Sequence, residues 1–326
     1  MEIVGAINAK LSDLKARYEE IYGLALFDVT ARESGNALLL SGSVLVEKQR
    51  DEAVSIAKEA FGGRVKSNIE IIGRKDFKPL NGWAAAKEIA NIWRYLPGSK
   101  AAEALKSEKA NLSSQLDAWD YPAKVIRKAG EYLLLLLVDG TIGWAKSGEL
   151  VKFAFDGNDF WHDVNRALVG RRVGVAEGVE RLIEAAERYV GVPYLWGGAS
   201  SQGIDCSGLV QRAYYEGVGL ILPKNSRQQL KMGERVLKKE ITAGDIVFFT
   251  VEESILHVGL LLDDDRLIHA SRDERKVIAE NAATAMKKRR FAGARRLAVF
   301  ESAEFLLQED GDKNETTALF EPRIDS

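Results

Sequence analysis

The chain has few of the residues that carry the simplest structural and chemical signals. Of its 326 residues one is cysteine, three are histidine and six are proline. A single cysteine excludes an intramolecular disulfide framework, so thiol usage assigns no compartment. There is no excess of either charge: 46 Lys and Arg stand against 48 Asp and Glu, for a net charge of −2. A general nucleic-acid binder shows a basic excess, so that partner class is excluded. Long apolar runs are missing too. The longest, YLLLLLV at 132–138, falls far short of the roughly 20 residues a membrane-spanning helix needs. The opening MEIVGAINAKLSDLKARYEE lacks a basic n-region, an apolar core and a small-residue cleavage site, so it does not read as a signal peptide. The expected location is cytoplasmic, or outside the cell if a leader precedes this sequence.

What is present suffices for several cores. The apolar fraction is 46%, with six Trp and twelve Phe, and the length predicts two or three domains. In residues 1–75, Ile3, Ile7, Leu11, Leu14 and Tyr18 recur at helical spacing. The stretch ALLLSGSVLVEKQRDEAVSIAKEAFGGRVKSNIEIIG then reads as strand, turn, strand, helix, Gly-Gly stop and strand. This order resembles a BON-type module, a small α+β unit, and the resemblance implies wall or membrane contact. A plain accessory domain is the competing reading. Residues 76–153 read as all-β, with turns at Pro97-Gly98 and Asp139-Gly140. Their DGTIGWAKSGEL resembles the end of a bacterial SH3-like barrel, with Thr141 where such barrels usually carry Tyr. Residues 154–179, with Trp161 and His162, read as a connector, residues 180–300 are strongly patterned, and the polar tail 301–326 is expected to be partly disordered.

The lone Cys206 lies in VPYLWGGASSQGIDCSGLVQRAYYEG. An amphipathic helix at 178–191, striped by Val179, Leu182, Ala186 and Val190, ends at Gly191. A Gly-rich turn follows. Asp205 is a favoured helix N-cap type, which makes Cys206 the first helical residue, with Leu209, Val210, Ala213 and Tyr214 as the buried stripe. A helix N-terminus favours a thiolate and offers amides to an oxyanion. A buried packing cysteine is the alternative.

A nucleophilic cysteine needs a base. His162 is read as structural or exposed. His257 and His269 flank an Asp-rich turn in ILHVGLLLDDDRLIHAS, a predicted hairpin. An odd-length loop puts both histidines on one face, directly opposite if centred on Asp263 and diagonal if centred on Asp264. His257 then serves as base and His269 as its orienter. Cys206, His257 and His269 as zinc ligands is the rival, but no fourth ligand or CxxC pattern accompanies them. No metal or cofactor is expected.

These motifs, PYLWGG, GIDCSGLV, LPKNSRQQ, AGDIVFF, LHVG and HAS, together resemble the NlpC/P60 cysteine peptidase family. An SH3-like domain ahead of it is similar to the γ-D-glutamyl-L-diamino acid endopeptidase branch. The resemblance implies a papain-like α+β fold over 180–300, preceded by an SH3-like barrel and a BON-like domain. It implies cleavage of peptidoglycan stem peptides, with Cys206 as nucleophile, His257 as base and His269 as orienter. Tyr194 is placed near the thiol, Asp205 and Ser207 on the D-Glu side of the cleft, and Trp196 in its wall. Lys224 stands where the family usually has Arg. Peptidoglycan-derived peptides are the expected partners, in wall recycling. An exported wall hydrolase, an inert wall- or membrane-binding protein and an acyl transferase are the alternatives. Asp245 is read as fixing a turn, and KKRR at 287–290 as a solvated face, with a wall-polymer or anionic-lipid contact as the alternative.

Overall fold

The computed structural model describes residues 2–22, 27–44, 47–71, 82–105, 107–153, 175–252 and 255–297. Connector residues Trp161 and His162, and the tail from 301 onward, lie outside them. Two compact units are present, one within Met1–Lys78 and one within Pro79–Gly311.

In the first unit, helix α1 (Glu2–Tyr22) precedes β1 (Phe27–Ser34), β2 (Ala37–Val44), α2 (Glu47–Phe61) and β3 (Arg64–Ile71). The sheet order is β1-β2-β3, with β1 antiparallel and β3 parallel to β2. ALLLSGSV is thus one strand, where strand, turn and strand were expected. Its hairpin partner is Phe27–Ser34, whose buried Phe27, Val29 and Ala31 alternate with polar residues. The α1 stripe buries Ile7, Leu11, Leu14 and Tyr18 on this sheet, but Ile3 is exposed, because the stripe drifts out of the core at the helix start.

In the second unit, β4 (Trp83–Ala86), β5 (Ile89–Trp93), β6 (Leu112–Asp117), β7 (Ala123–Ala129), β8 (Tyr132–Leu136), β9 (Ile142–Lys146) and β10 (Leu150–Phe153) form a seven-stranded antiparallel sheet. A four-residue helix, α3 (Lys100–Glu103), lies between β5 and β6. YLLLLLV supplies β8 and its exit, burying Leu133, Leu135 and Leu137 against Ile92, Val125 and Ala145. The Asp139-Gly140 turn joins β8 to β9. Thr141 gives Asp139 its amide at 2.8 Å and its hydroxyl at 3.0 Å, so it closes this turn.

The remaining elements of this unit are α4 (Val175–Glu187), the short β11 (Ala199–Ser200) and β12 (Gly203–Ile204), α5 (Cys206–Val218), α6 (Ser226–Gln229), β13 (Glu234–Val236), β14 (Ile246–Glu252), β15 (Ile255–Leu261), β16 (Arg266–Ser271), β17 (Lys276–Asn281), α7 (Ala282–Lys288) and β18 (Arg290–Arg296). Six of the strands make one sheet, ordered β13-β18-β14-β15-β16-β17. On one face Ile246, Phe248, Val258 and Ile268 share a core with Leu182 of α4 and Leu209, Ala213 and Tyr214 of α5. On the other, Val247, Phe249 and Leu267 pack with Ala282 and Ala285 of α7. Burial of both faces explains the unbroken apolar run IVFF. Helix α4 stops at Glu187, earlier than the pattern predicts, so Val190 leaves the stripe and is exposed while Tyr189 is buried. Asp245 accepts the Thr242 amide at 2.9 Å and the Arg296 guanidinium at 2.8 and 2.7 Å, which fixes the turn into β14.

Candidate active site

Asp205 caps α5 with extended backbone, and its Oδ1 accepts the Gly208 amide at 2.7 Å. Cys206 follows as the first helical residue. The other donors to Asp205 are the Ser207 hydroxyl at 3.0 Å, the Gly197 amide at 2.9 Å, and Lys224 Nζ at 2.8 and 2.7 Å. Both carboxylate oxygens are therefore engaged from several sides. Gln229 bonds the Ser207 and Pro223 carbonyls at 3.0 and 2.8 Å, and Ser226 bonds the Leu256 carbonyl of β15 at 3.2 Å. The LPKNSRQQ segment thus ties the start of α5 to the strand that carries His257.

Tyr194 is paired by a backbone bridge with Ile204, two residues before the thiol. Burial, then the nearby Cys206 and Asp205, push its phenol above the ordinary value, so its hydroxyl stays a donor. Trp196 is 42% exposed, and Gly197 follows it with φ +75°. A Cβ there would lie 2.2 Å from the Leu112 carbonyl oxygen. The glycine lets β6 of the seven-stranded sheet close against this loop. That sheet grips the region around Cys206 at further points. Gln115 Oε1 accepts the Ala199 amide at 3.0 Å. Arg212 of α5 makes a paired contact to Asp120 at 2.5 and 2.7 Å, and Gln211 donates to Asp139 at 2.7 Å.

The two histidines come together. Leu260 pairs with Ile268 and Leu261 with Leu267, a register centred on Asp264, so the loop is odd and His257 and His269 are diagonal on one face. Their rings meet edge to face, His257 Nε2 lying 2.8 Å from His269 Nδ1. These two nitrogens point at each other across a hydrogen bond and leave no space for a shared cation. Gly259 makes room for them: a Cβ would meet the Ile268 oxygen at 2.9 Å and His269 Cβ at 3.2 Å. The amide of Val258, next to His257, hydrogen-bonds the Cys206 sulfur. This sets the thiol against the histidine-bearing strand.

The electrostatics differ from the expectation of a helix-stabilised thiolate. Loss of water around the sulfur and the adjacent Asp205 charge push the Cys206 thiol up to about 12, against the Val258 and Ser207 amides and Lys224. Burial, then His269, Arg289 and Arg272, hold His257 down to about 3. Burial and Arg289 hold His269 down to about 4. The resting pair is therefore a neutral thiol and a neutral imidazole.

Two charged residues beside the histidines went unread in the sequence. His269 Nε2 lies 2.8 Å from Glu280 Oε1, which also accepts Arg289 Nη1 at 2.5 Å. The signal for Glu280 is the register of a second hairpin: His269 pairs with Ile278 and Leu267 with Glu280, so Glu280 is a diagonal neighbour of His269. Arg289 belongs to KKRR, read as a solvated face or a wall-polymer or anionic-lipid contact.

Residues 191–296 match the NlpC/P60 family. Among similar proteins, γ-DL-glutamyl hydrolase of Bacillus subtilis is 42% identical over 101 residues, 30% of this chain and 24% of the relative. Murein DD-endopeptidase/LD-carboxypeptidase of Escherichia coli K12 is 35% identical over 109 residues, 33% of this chain and 58% of the relative. γ-D-Glutamyl-L-lysine dipeptidyl-peptidase of Bacillus cereus is 35% identical over 118 residues, 35% of each. The chain thus spans a quarter to just under three fifths of these relatives' own lengths. The region that carries Cys206, His257 and His269 is an NlpC/P60 domain.

Proposed function

We propose that this protein is a cysteine endopeptidase that hydrolyses the bond between γ-D-glutamate and the diamino acid of peptidoglycan stem peptides, in wall recycling. The observation that carries this reading is the Cys206 thiol at the start of a capped helix, beside a strand whose His257 is hydrogen-bonded to His269 at 2.8 Å. The names of the relatives support a peptidase of γ-glutamyl or murein bonds.

In the proposed reaction, Cys206 Sγ attacks the γ-carbonyl carbon while its proton passes to His257 Nδ1, the ring nitrogen left over from the bond to His269. The carbonyl pair moves to oxygen, where the amides at the start of α5 stabilise it. As the C–N bond breaks, His257 returns the proton to the leaving amine. Water, deprotonated by His257, then releases the acyl group and restores the thiol. Tyr194 and Trp196 line the substrate side. Asp205 and Ser207 form its D-Glu floor, and any contact substrate makes there shares oxygens already bonded to Lys224 and backbone amides. The approach of Leu112 to Gly197 supports a flank built by the seven-stranded sheet, with SH3-like topology, that favours short peptides over polymer. Wall or membrane contact by the N-terminal, BON-like unit belongs to the same proposal.

The test is incubation with L-Ala-γ-D-Glu-diamino acid peptides and, in parallel, intact sacculi, with products read by mass spectrometry. The expected result is release of L-Ala-D-Glu from the peptides, abolished in Cys206→Ala. Cleavage that persists in the variant sinks the mechanism, and faster release from sacculi sinks the recycling role.

A further inference from the structure

The buried polar chain does not end at His269, whose side chain is 1% exposed; the Glu280 and Arg289 side chains beyond it are 13% and 17% exposed. Both of these residues are fixed by α7. Asn281, next to Glu280, is the helix N-cap and accepts the Thr284 amide at 3.0 Å, and Arg289 is its C-cap residue. Lys288 Nζ stands 3.7 Å from the second Glu280 oxygen.

The state of Glu280 dictates every proton in the chain. Burial pushes its carboxyl up, but the Arg289 hydrogen bond and charge, with His269, outweigh this and hold it below the ordinary value. It is therefore ionised, and a carboxylate only accepts. His269 must then carry its proton on Nε2 and donate. A neutral imidazole with Nε2 protonated has a bare Nδ1, so His257 must donate from its own Nε2. That leaves His257 Nδ1 bare, the one arrangement in which it can receive the thiol proton. With no acceptor at 280, His269 is free to take the other tautomer, and His257 can then hold its proton on the wrong nitrogen. The charges also oppose each other. Glu280 favours positive charge on His269, and Arg289 disfavours it on both histidines.

We propose that Glu280 is a positioning residue for the Cys206 reaction: it fixes the tautomers of His269 and His257 and offsets the imidazolium charge formed in turnover, with Arg289 setting how much of its charge the histidines feel. The role rests on the reading of Cys206 as nucleophile, whereas the tautomer assignment does not depend on turnover.

The full chain has three histidines, which suits imidazole ¹⁵N NMR. The isosteric Glu280→Gln keeps the shape and removes the charge, Glu280→Ala removes the acceptor, and Arg289→Gln removes the opposing cation. In the unaltered protein, both His257 and His269 are expected as the Nε2–H tautomer at pH 7, and Glu280→Ala is expected to mix the tautomers. The titration of the histidine pair is expected to move up by about half a pH unit or more in Arg289→Gln and down in Glu280→Gln. With the stem peptide as substrate, Glu280→Gln is expected to lose about tenfold or more in kcat with little change in KM. Unchanged tautomers in Glu280→Ala, or shifts of the same sign in the two Gln variants, overturn the proposal. If the unaltered protein leaves the peptide uncut, the substrate reading fails and the NMR result still decides the role of Glu280.

Discussion

Lys224 holds one ammonium 2.8 and 2.7 Å from the two oxygens of Asp205, with their side chains 8% and 11% exposed. A buried ion pair adds little net stability, but removing one partner strands the other, at about 3–5 kcal/mol. Lys224→Met is therefore expected to lose about that much in urea unfolding at pH 7, and Lys224→Arg much less, because a guanidinium can also span the two oxygens. A Lys224→Met loss below about 1 kcal/mol would show that Asp205 draws its support from the backbone amides instead. Lys224 also lowers the thiol pKa, so the Met variant is expected to alkylate more slowly at Cys206. At this scale much was legible: the cap, the first helical position of Cys206 and the pairing of the two histidines all follow from spacing. The sign of the thiol shift was not. A helix N-terminus argues for a lowered value, but the residue that caps the helix is itself an anion beside the sulfur, and the loss of water there depends on neighbours from distant strands.

The hairpin of β15 and β16 places His257 and His269 on one face through the parity of its loop, which three consecutive aspartates signal in the sequence. Its close approach depends on Gly259. Gly259→Ala would set a methyl 2.9 Å from the Ile268 oxygen and 3.2 Å from His269 Cβ, and both neighbours are held in buried strands. Strand separation or a tilted His269 ring must follow, and overpacking of this kind costs about 1–3 kcal/mol. The expected outcome is a lowered melting temperature together with a kcat loss larger than the fall in folded fraction. A stable variant with unchanged kcat would show that the hairpin yields without moving His269. The β17 partner was harder to read, because Glu280 sits in KVIAEN, a strand whose alternation is partly polar and whose role emerges only once its register with β16 is known. Strand β1 was missed for a similar reason: FDVTARES carries few large apolar residues and owes its place to pairing with β2.

Within the second unit, the seven-stranded sheet is joined to helix α5 and to β11 by an ion pair and a side-chain-to-backbone hydrogen bond, Arg212 to Asp120 and Gln115 to Ala199. Composition and motif order marked an all-β segment ahead of the segment that carries Cys206 and the two histidines. These cross-contacts were hidden, because their partners lie some ninety positions apart and nothing local links them. Acid stability is where the buried histidines act on the molecule as a whole. Burial holds His257 to about 3 and His269 to about 4, against 6.5 for an exposed histidine. Below pH 6.5 the unfolded chain takes up protons that the native histidines refuse. Their contribution is fully present above that pH and drains away as the pH falls toward 4 and then 3. Each can contribute a slope of up to about 1.4 kcal/mol per pH unit. Glu280 and Asp263 are held below their ordinary values of 4.5 and 3.8, so their stabilisation is lost only at lower pH. Burial holds the Asp139 carboxyl above its ordinary value of 3.8, which acts in the opposite direction, so the histidine part of the interval from pH 6.5 to 5 is isolated by comparison with a variant. Unfolding free energies from urea titrations at pH 7.5, 6 and 5 are expected to fall steeply in the unaltered protein. In His269→Gln the fall should be shallower by about one histidine's slope, and equal slopes in the two proteins would mean that His269 is protonated in the native state and that the neutral pair assigned to the site is wrong.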